Sequence, residues 1–389
     1  MTVLAVGVPK ELKIGERRVG LTPKGVEFLT KHSVPVFVEK EAGLKSGFSD
    51  HQYEAAGARI VEERADLWRK ASVIEKVKEP MPEEFGFIQS KHIIFTFLHL
   101  ASPASRPLIE ALLRSGATAI GYEMVEVGND HPILKPMSEV AGTLAAYFAG
   151  VLRNCVAVEN NQIAGLEQAK RMMDELASRY PSVPKGLNPG QVIVLGGGHV
   201  GREAVQMAAR MGGSVCLSEI SDGRRTSLGQ YFARGGLEVK FLDPEECSSY
   251  EAALGACDVM IAAVHKTGRK APLIIDALLL KKISRKRKKV ILDVSIDQGG
   301  NVAESRLTSY EEPVYLDSMG NLRYAVANMP SLCGRVATVL LEEAALKYTF
   351  ALSGGLEAAV KQYGELTGAV NIRGGSVVHT AVREAHRFH

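Results

Sequence analysis

The sequence predicts an α/β protein built from two doubly wound domains with a cleft between them. Three observations carry this. The chain has 389 residues, more than one ordinary core holds at about 100–200 residues per domain. Short apolar runs alternate with helical segments, and the whole alternation occurs twice. Between the two series lies SRYPSVPKGLNP (178–189), whose prolines end the preceding helix and mark a boundary.

The first series opens with a strand over 2–8. Thr22 offers a capping oxygen and Pro23 suits the first helical position, so a helix follows over 24–31. Further strands fall at 34–38, 59–61, 72–77, 92–98 and 118–121, with helical segments between them. This rhythm implies a mostly parallel, helix-covered sheet. A helical stretch at 138–153 leaves the first domain as a connector. The second series runs through a strand at 191–195, a glycine-rich turn, a helix at 202–211, and strands at 214–218, 238–242, 259–264 and 290–294. After Pro330 an alanine- and leucine-rich helix over 331–350 crosses back. The expected domains are 1–137 plus 331–389 for substrate and 138–330 for cofactor.

Composition narrows the class. Hydrophobic residues make up 46%, charged residues 23%, and the formal net charge is +3, the balance of a soluble globular chain without pull toward nucleic acid or an anionic membrane. The longest apolar stretch, 140–152, stops at Arg153, short of the roughly 20 residues that span a bilayer. The start, MTVLAVGVPKELK, lacks the marks of a signal peptide. Cys155, Cys216, Cys247, Cys257 and Cys333 are odd in number and form no C-x-x-C pair. Neither a disulfide framework nor a metal site is expected, and a cytoplasmic location fits. The basic run KKISRKRKK (281–289) reads as a solvated helix end, where cations are favoured.

The most specific motif is VIVLGGGHVGREA, with G-x-G-x-x-G at Gly196, Gly198 and Gly201. With 38 glycines in the chain, chance supplies roughly 0.4 matches, so context decides. The motif follows an apolar strand and opens a helix, and Glu219 ends the next strand. Gly196 permits the tight turn, Gly198 lets the backbone approach a pyrophosphate, and Gly201 lets helix and strand pack closely. A carboxylate at Glu219 binds a ribose 2′-hydroxyl and repels a 2′-phosphate. The expected cofactor is NAD, with Arg224 and Arg225 just beyond weakening that preference.

In the first domain, polar residues interrupt apolar runs. Arg17 and Arg18 follow the first strand, Lys76 and Lys78 end SVIEKVKEP, and His99 ends IIFTFLHL. Strand C-terminal ends are where open α/β sheets place their sites. Cations there suit a carboxylate substrate, and a histidine exchanges protons near neutral pH.

The chain resembles the alanine dehydrogenases. The matching segments are KELKIGERRVGLTP (10–23), EKVKEP (75–80), FTFLHLA (95–101), PMSEVAG (136–142), VLGGGHVG (194–201), GRKAP (268–272), ILDVSIDQGG (291–300) and YAVANMPS (324–331). The resemblance implies two Rossmann-like domains and an exchange of L-alanine with pyruvate and ammonia. It implies that Arg18 binds the substrate carboxylate, Lys78 binds pyruvate, His99 is the catalytic histidine and Asp297 shares the acid–base work. It makes Ser138 a cofactor contact, places Asn328 and Met329 near the nicotinamide, and implies a homo-oligomer, typically a hexamer.

The sequence departs from the family at three places. Glu219 stands where Asp is frequent, the segment 155–190 is longer and charged, and His265 and Lys266 are polar where the family is apolar. These keep open a reductive condensation of a keto acid with a larger amino acid, of the saccharopine or carboxyethylornithine type. An alternative of another class is a non-catalytic NAD-binding subunit like transhydrogenase α.

Overall fold

A computed structural model of the chain describes residues 3–128, 130–159, 162–170, 187–265 and 270–387. Lys266, residues 171–177 of the segment 155–190 and most of the linker 178–189 lie outside them. The chain divides into two compact units, Met1–Met137 with Ser331–His389, and Ser138–Pro330. The division falls inside one helix, Leu134–Cys155.

The strands in chain order are β1 (Val6–Val8), β2 (Val36–Glu39), β3 (Arg59–Val61), β4 (Val73–Lys78), β5 (Ile93–Phe97) and β6 (Thr118–Gly121). Next come the hairpin strands β7 (Ala157–Glu159) and β8 (Gln162–Ala164). The second unit holds β9 (Gln191–Leu195), β10 (Ser214–Ser218), β11 (Lys240–Leu242), β12 (Val259–Ala262), β13 (Val290–Asp293), β14 (Val314–Leu316) and β15 (Leu322–Tyr324). The last two are β16 (Val370–Arg373) and β17 (Ser376–Val377). The first sheet runs β17-β16-β6-β5-β4-β1-β2-β3 and the second β11-β10-β9-β12-β13-β15-β14. In each, the chain starts at a central strand, winds outward to one side, then crosses to the other. Six neighbouring strands of each sheet are parallel. That is the doubly wound order, whose switch points fall between β1 and β4 and between β9 and β12.

Two antiparallel additions escaped the sequence pattern. β16 pairs with β6, and β14 with β15. Each is an edge or near-edge strand of three or four residues, too short for a period-2 signal to stand out. The first strand is also shorter than expected, because only Val6–Val8 pairs with β2 and only Val6 and Gly7 pair with β4.

Local chemistry accounts for the helix that packs under the first sheet. Thr22 Oγ1 accepts from the N–H of Lys24 at 3.1 Å and of Gly25 at 3.3 Å, and Pro23 takes the first position of the helix Pro23–Lys31. Thr22 in turn donates its hydroxyl to Glu342 at 2.8 Å. A Cβ on Gly25 would stand 2.1 Å from that carboxylate, so the glycine admits the contact between helix and helix. The carboxylate belongs to the helix Gly334–Ser353, which starts three residues later than expected because Met329–Cys333 forms a 3₁₀ turn. The basic run at 281–289 ends a helix, as its charge suggests, but Lys289 is buried and not solvated. Lys288 donates to Ser284 O at 3.0 Å and Lys289 to Arg287 O at 2.6 Å, so both satisfy carbonyls at the helix end.

One buried carboxyl in this core titrates far from its ordinary range. Glu75 on β4 is fully buried; it accepts from Tyr122 Oη and, at 2.9 Å, from Thr349 Oγ1. Burial is the largest influence and pushes Glu75 up to about 8. Its folded pKa lies above the unfolded one, so its contribution is most favourable at acid pH and is lost as pH rises toward 8. Replacing it by the neutral isostere Glu75→Gln should therefore raise Tm relative to wild type progressively between pH 5 and pH 8, as read by calorimetry. A difference in Tm that does not change with pH would show that Glu75 is not protonated in the fold.

Candidate active site

In the first unit, β1, β4 and β5 are neighbours, so their C-terminal ends share one sheet edge. Arg18, Lys78 and His99 come from the segments at those three ends. Arg18 is buried and forms a two-pronged pair with Glu16, Nε to Oε1 at 2.7 Å and Nη2 to Oε2 at 2.7 Å. Its Nη1 reaches Met137 Sδ at 3.1 Å. Glu16 thus neutralises Arg18 and fixes the guanidinium plane.

Lys78 differs from it. Lys78 is 9% exposed, yet among the described residues no carboxylate lies within ion-pair distance of its ammonium. Neighbouring Glu79 is engaged by Lys13 at 2.5 Å. Burial and then the Arg18 charge hold Lys78 below the usual lysine range. A buried cation without an ion-pair partner is costly, and the Glu16 and Glu79 charges offset that cost only in part, since Lys78 stays below the usual lysine range. An incoming anion would.

His99 sits just past β5 with φ of +48°, a left-handed conformation that costs a non-glycine residue roughly 1–3 kcal/mol. Four hydrogen bonds hold it there. Glu123 accepts from His99 N at 2.7 Å and from Leu98 N at 3.2 Å, while His99 O accepts from Ser105 Oγ at 3.1 Å and Ser102 N at 3.0 Å. The ring stacks on Phe97 with centroids 5.9 Å apart. Its Nδ1 lies 4.0 Å from Glu123 Oε1, beyond hydrogen-bond reach, and the side chain is 44% exposed. The strained backbone presents the imidazole outward from the sheet edge.

In the second unit, the glycine-rich turn follows β9 at the switch point. Gly196 has φ of +96°, and a Cβ on Gly201 would stand 1.9 Å from Gly196 O. Both glycines are required by the fold itself. Gly198 is not: its φ of −69° suits any residue, and a Cβ there would meet nothing within 4 Å. It caps the helix His199–Arg210, whose first N–H groups receive no side-chain cap. On the helix Leu134–Cys155, a Cβ on Gly142 would stand 2.2 Å from Val200 O. Ser138 lies one turn earlier on the same helix, so it shares the face that meets the glycine-rich turn.

Glu219, past β10, accepts from Gly197 N at 3.2 Å and from Ser221 N at 3.1 Å, so its longer arm is folded onto the glycine turn. Arg224 stands 3.5 Å from Glu219 and donates to Gly197 O at 3.1 Å. Arg225 pairs with Asp243 at 2.8 Å and with Asp222 and donates to Glu219 O at 2.6 Å, so both arginines flank Glu219, Arg224 at its carboxylate and Arg225 at its backbone.

Asp297 is exposed on a 3₁₀ turn, Ile296–Gln298, past β13. That loop is tied down from behind, because Asp293 accepts from Asn301 N at 2.8 Å and Val302 N at 3.1 Å. Asn301 in turn bonds both backbone groups of Val264, past β12. His265 Nε2 lies 3.5 Å from Gln298 Nε2, so one of the two unusual polar residues stands beside the Asp297 turn. Asn328 takes φ of +60°, its carbonyl accepting from Tyr310 at 3.2 Å, and Met329 is buried beside it. Arg18, Lys78 and His99 therefore belong to one edge of the first sheet. Glu219, Asp297 and the glycine turn belong to one edge of the second.

Sequence reasoning passed over Glu16, Glu123 and Asn301, which hold the named residues in place. Glu16 carried a signal in its position two residues before Arg18. Glu123 and Asn301 carried none, since the fold alone brings them to His99 and Val264.

Comparison with known proteins gives the family and supports the fold. The N-terminal domain model "Alanine dehydrogenase/PNT" matches residues 7–141 and its C-terminal counterpart matches 166–380. The alanine dehydrogenase of Bacillus subtilis is 36% identical over 381 residues, 97% of this chain and 94% of that one. That of Methanococcus maripaludis is 33% identical over 386 residues, 98% of this chain and 96% of that one. A solved L-alanine dehydrogenase superposes with a TM-score of 0.81 at 34% identity, covering 99% of both chains. A transhydrogenase from Sinorhizobium meliloti, at 21% identity and a TM-score of 0.73 over 97% of this chain and 99% of that one, shares the fold.

The two glycines make a paired prediction. Gly201→Ala forces helix and strand apart and should destabilise the fold by about 1–3 kcal/mol. Gly198→Ala should leave Tm within error of wild type. Thermal melts of both variants check this, and equal losses would mean that Gly198 is also a packing glycine.

Proposed function

This chain belongs to the alanine dehydrogenase/PNT family, and from that premise we propose that it interconverts L-alanine with pyruvate and ammonia using NAD. The observation that carries the reading is the buried ammonium of Lys78, without an ion-pair partner among the described residues, beside the Arg18–Glu16 pair. It is a receptor for one small carboxylate, a group that alanine and pyruvate share.

The second unit's fit to a dinucleotide is supported by Gly198, a glycine with neither a conformational nor a packing reason to be one. The uncapped N–H groups at the start of His199–Arg210 suit the pyrophosphate. Glu219 suits the ribose hydroxyls and disfavours a 2′-phosphate. Ser138, Asn328 and Met329 complete the proposed cofactor contacts. Bound NAD would supply the acceptor for the hydride leaving alanine Cα.

The chain's own residues do the rest. Lys78 and Arg18 fix the carboxylate, which orients Cα; such positioning supplies a large share of a barrier reduction. His99 accepts the amine proton at its imidazole, and Asp297 takes a proton from the water that adds to the resulting imine. Oxidation then balances as alanine, water and NAD⁺ giving pyruvate, ammonium, NADH and a proton. The same resemblance supports a homo-oligomer, which we propose to be a hexamer, and a cytoplasmic site of action. The exposed Val336 and Val339 on the helix Gly334–Ser353 give such an assembly an apolar surface to cover.

Steady-state assays test the proposal. Alanine with NAD should yield NADH, and NADP should serve less well. His99→Ala and Asp297→Ala should each lower kcat by about 10²–10⁴-fold while leaving NADH affinity close to wild type. No turnover of alanine, with turnover of pyruvate and lysine or ornithine instead, would replace the reading by the condensation chemistry. Light scattering at 42 kDa would refute the oligomer.

A further inference from the structure

Lys78 leaves the sheet at an irregularity. Glu75 of β4 pairs with Phe95 of β5, but Lys78 pairs with Phe97. β4 therefore carries one residue more than its partner, a bulge that re-aims the side chains beyond it. The N–H groups on the bulge are bound by a side chain from elsewhere. Glu11, on the loop after β1, accepts from Val77 N at 2.7 Å and from Lys78 N at 3.4 Å through one oxygen. Its other oxygen stands 3.5 Å from Lys76 Nζ, and Lys76 also binds Glu84 at 3.0 Å. Glu84 then accepts from Met81 N at 2.8 Å, on the turn that follows β4.

All three charged side chains are buried. Apolar side chains of similar volume would fill this space at lower cost in desolvation. They could not accept two backbone N–H bonds at the bulge. The distinguishing property of Glu11 is thus its grip on the backbone of Val77 and Lys78, while Lys76 and Glu84 are its buried ion-pair neighbours.

We infer that Glu11 is a positioning residue for the substrate carboxylate, acting through the β4 bulge to set where the Lys78 ammonium stands against Arg18. The inference rests on the reading of Lys78 as the carboxylate's partner. It makes substrate affinity in the first unit depend on a residue whose own carboxylate faces the sheet backbone.

A double-mutant cycle on the full-length protein tests it. Glu11→Gln should raise KM for pyruvate about tenfold or more, with KM for NADH unchanged. Added to Lys78→Met, it should raise pyruvate KM no further. Glu84→Gln, which weakens the same buried ion pair but leaves both N–H contacts, should keep pyruvate KM within about twofold of wild type. If Lys78→Met alone leaves pyruvate KM unchanged, the reading of Lys78 falls, and the inference with it. If Lys78→Met raises it but Glu11→Gln does not, or if the two effects multiply in the double variant, Glu11 is structural only. Should Glu11→Gln fail to fold, Glu11→Asp carries the test: it keeps the charge on a shorter arm, so pyruvate KM should still rise, and a wild-type KM overturns the inference.

Discussion

The arrangement of the first unit depends on one buried charge that the protein leaves unbalanced. Arg18 has Glu16, Lys76 has Glu84 and Glu11, and Lys13 has Glu79. Lys78 stands among these pairs with its own ammonium unmatched among the described residues. Burial without a counter-charge destabilises the empty site and favours any small anion that fills it. The surrounding pairs matter because they leave the carboxylates nearest to Lys78 already engaged. An Arg18 without Glu16 would add a second unmatched cation, and selectivity for a single carboxylate would weaken.

The same logic of placement governs both units. Parallel strands wound in the same order bring the chain out at one edge, and the chemistry-bearing groups follow those exits. In the first unit they need rigid support, which a left-handed His99 held by four hydrogen bonds and a bulge held by Glu11 provide. In the second they need close approach, which Gly196 and Gly201 provide to the fold and Gly198 reserves for a ligand. The left-handed His99 and Asn328 and the bulge in β4 are thus found where the reading assigns function.

Much of this was legible in the sequence because it is local. β9 and β10 end at the residues that apolar runs predict, and Thr22 caps its helix through its own hydroxyl. The glycine motif lies between strand and helix. What could not be read depends on contacts distant in the chain. Glu342 meets Thr22 across 320 positions, and β16 joins β6 from the far end of the chain. Short strands such as β14 and β17 owe their existence to a neighbour, not to their own pattern. The supporting carboxylates Glu11 and Glu123 bind backbone N–H groups, a role open to any acidic residue and so unmarked in the sequence. The two arginines after Glu219 looked alike, yet Arg224 meets its carboxylate while Arg225 meets its carbonyl and pairs with Asp222 and Asp243.

The central claim is that the surplus charge of Lys78 receives the substrate carboxylate. Because burial and Arg18 hold Lys78 below the usual lysine range, a bound carboxylate must pull it back up. Binding at alkaline pH should then take up a proton. Calorimetric titration of pyruvate into the NADH-loaded protein, in buffers of different ionisation enthalpy, measures that uptake directly. The account predicts uptake that grows as pH rises toward the ordinary lysine range in the wild type and vanishes in Lys78→Met, which also binds pyruvate more weakly. Equal affinity and equal proton uptake in the two proteins would contradict it.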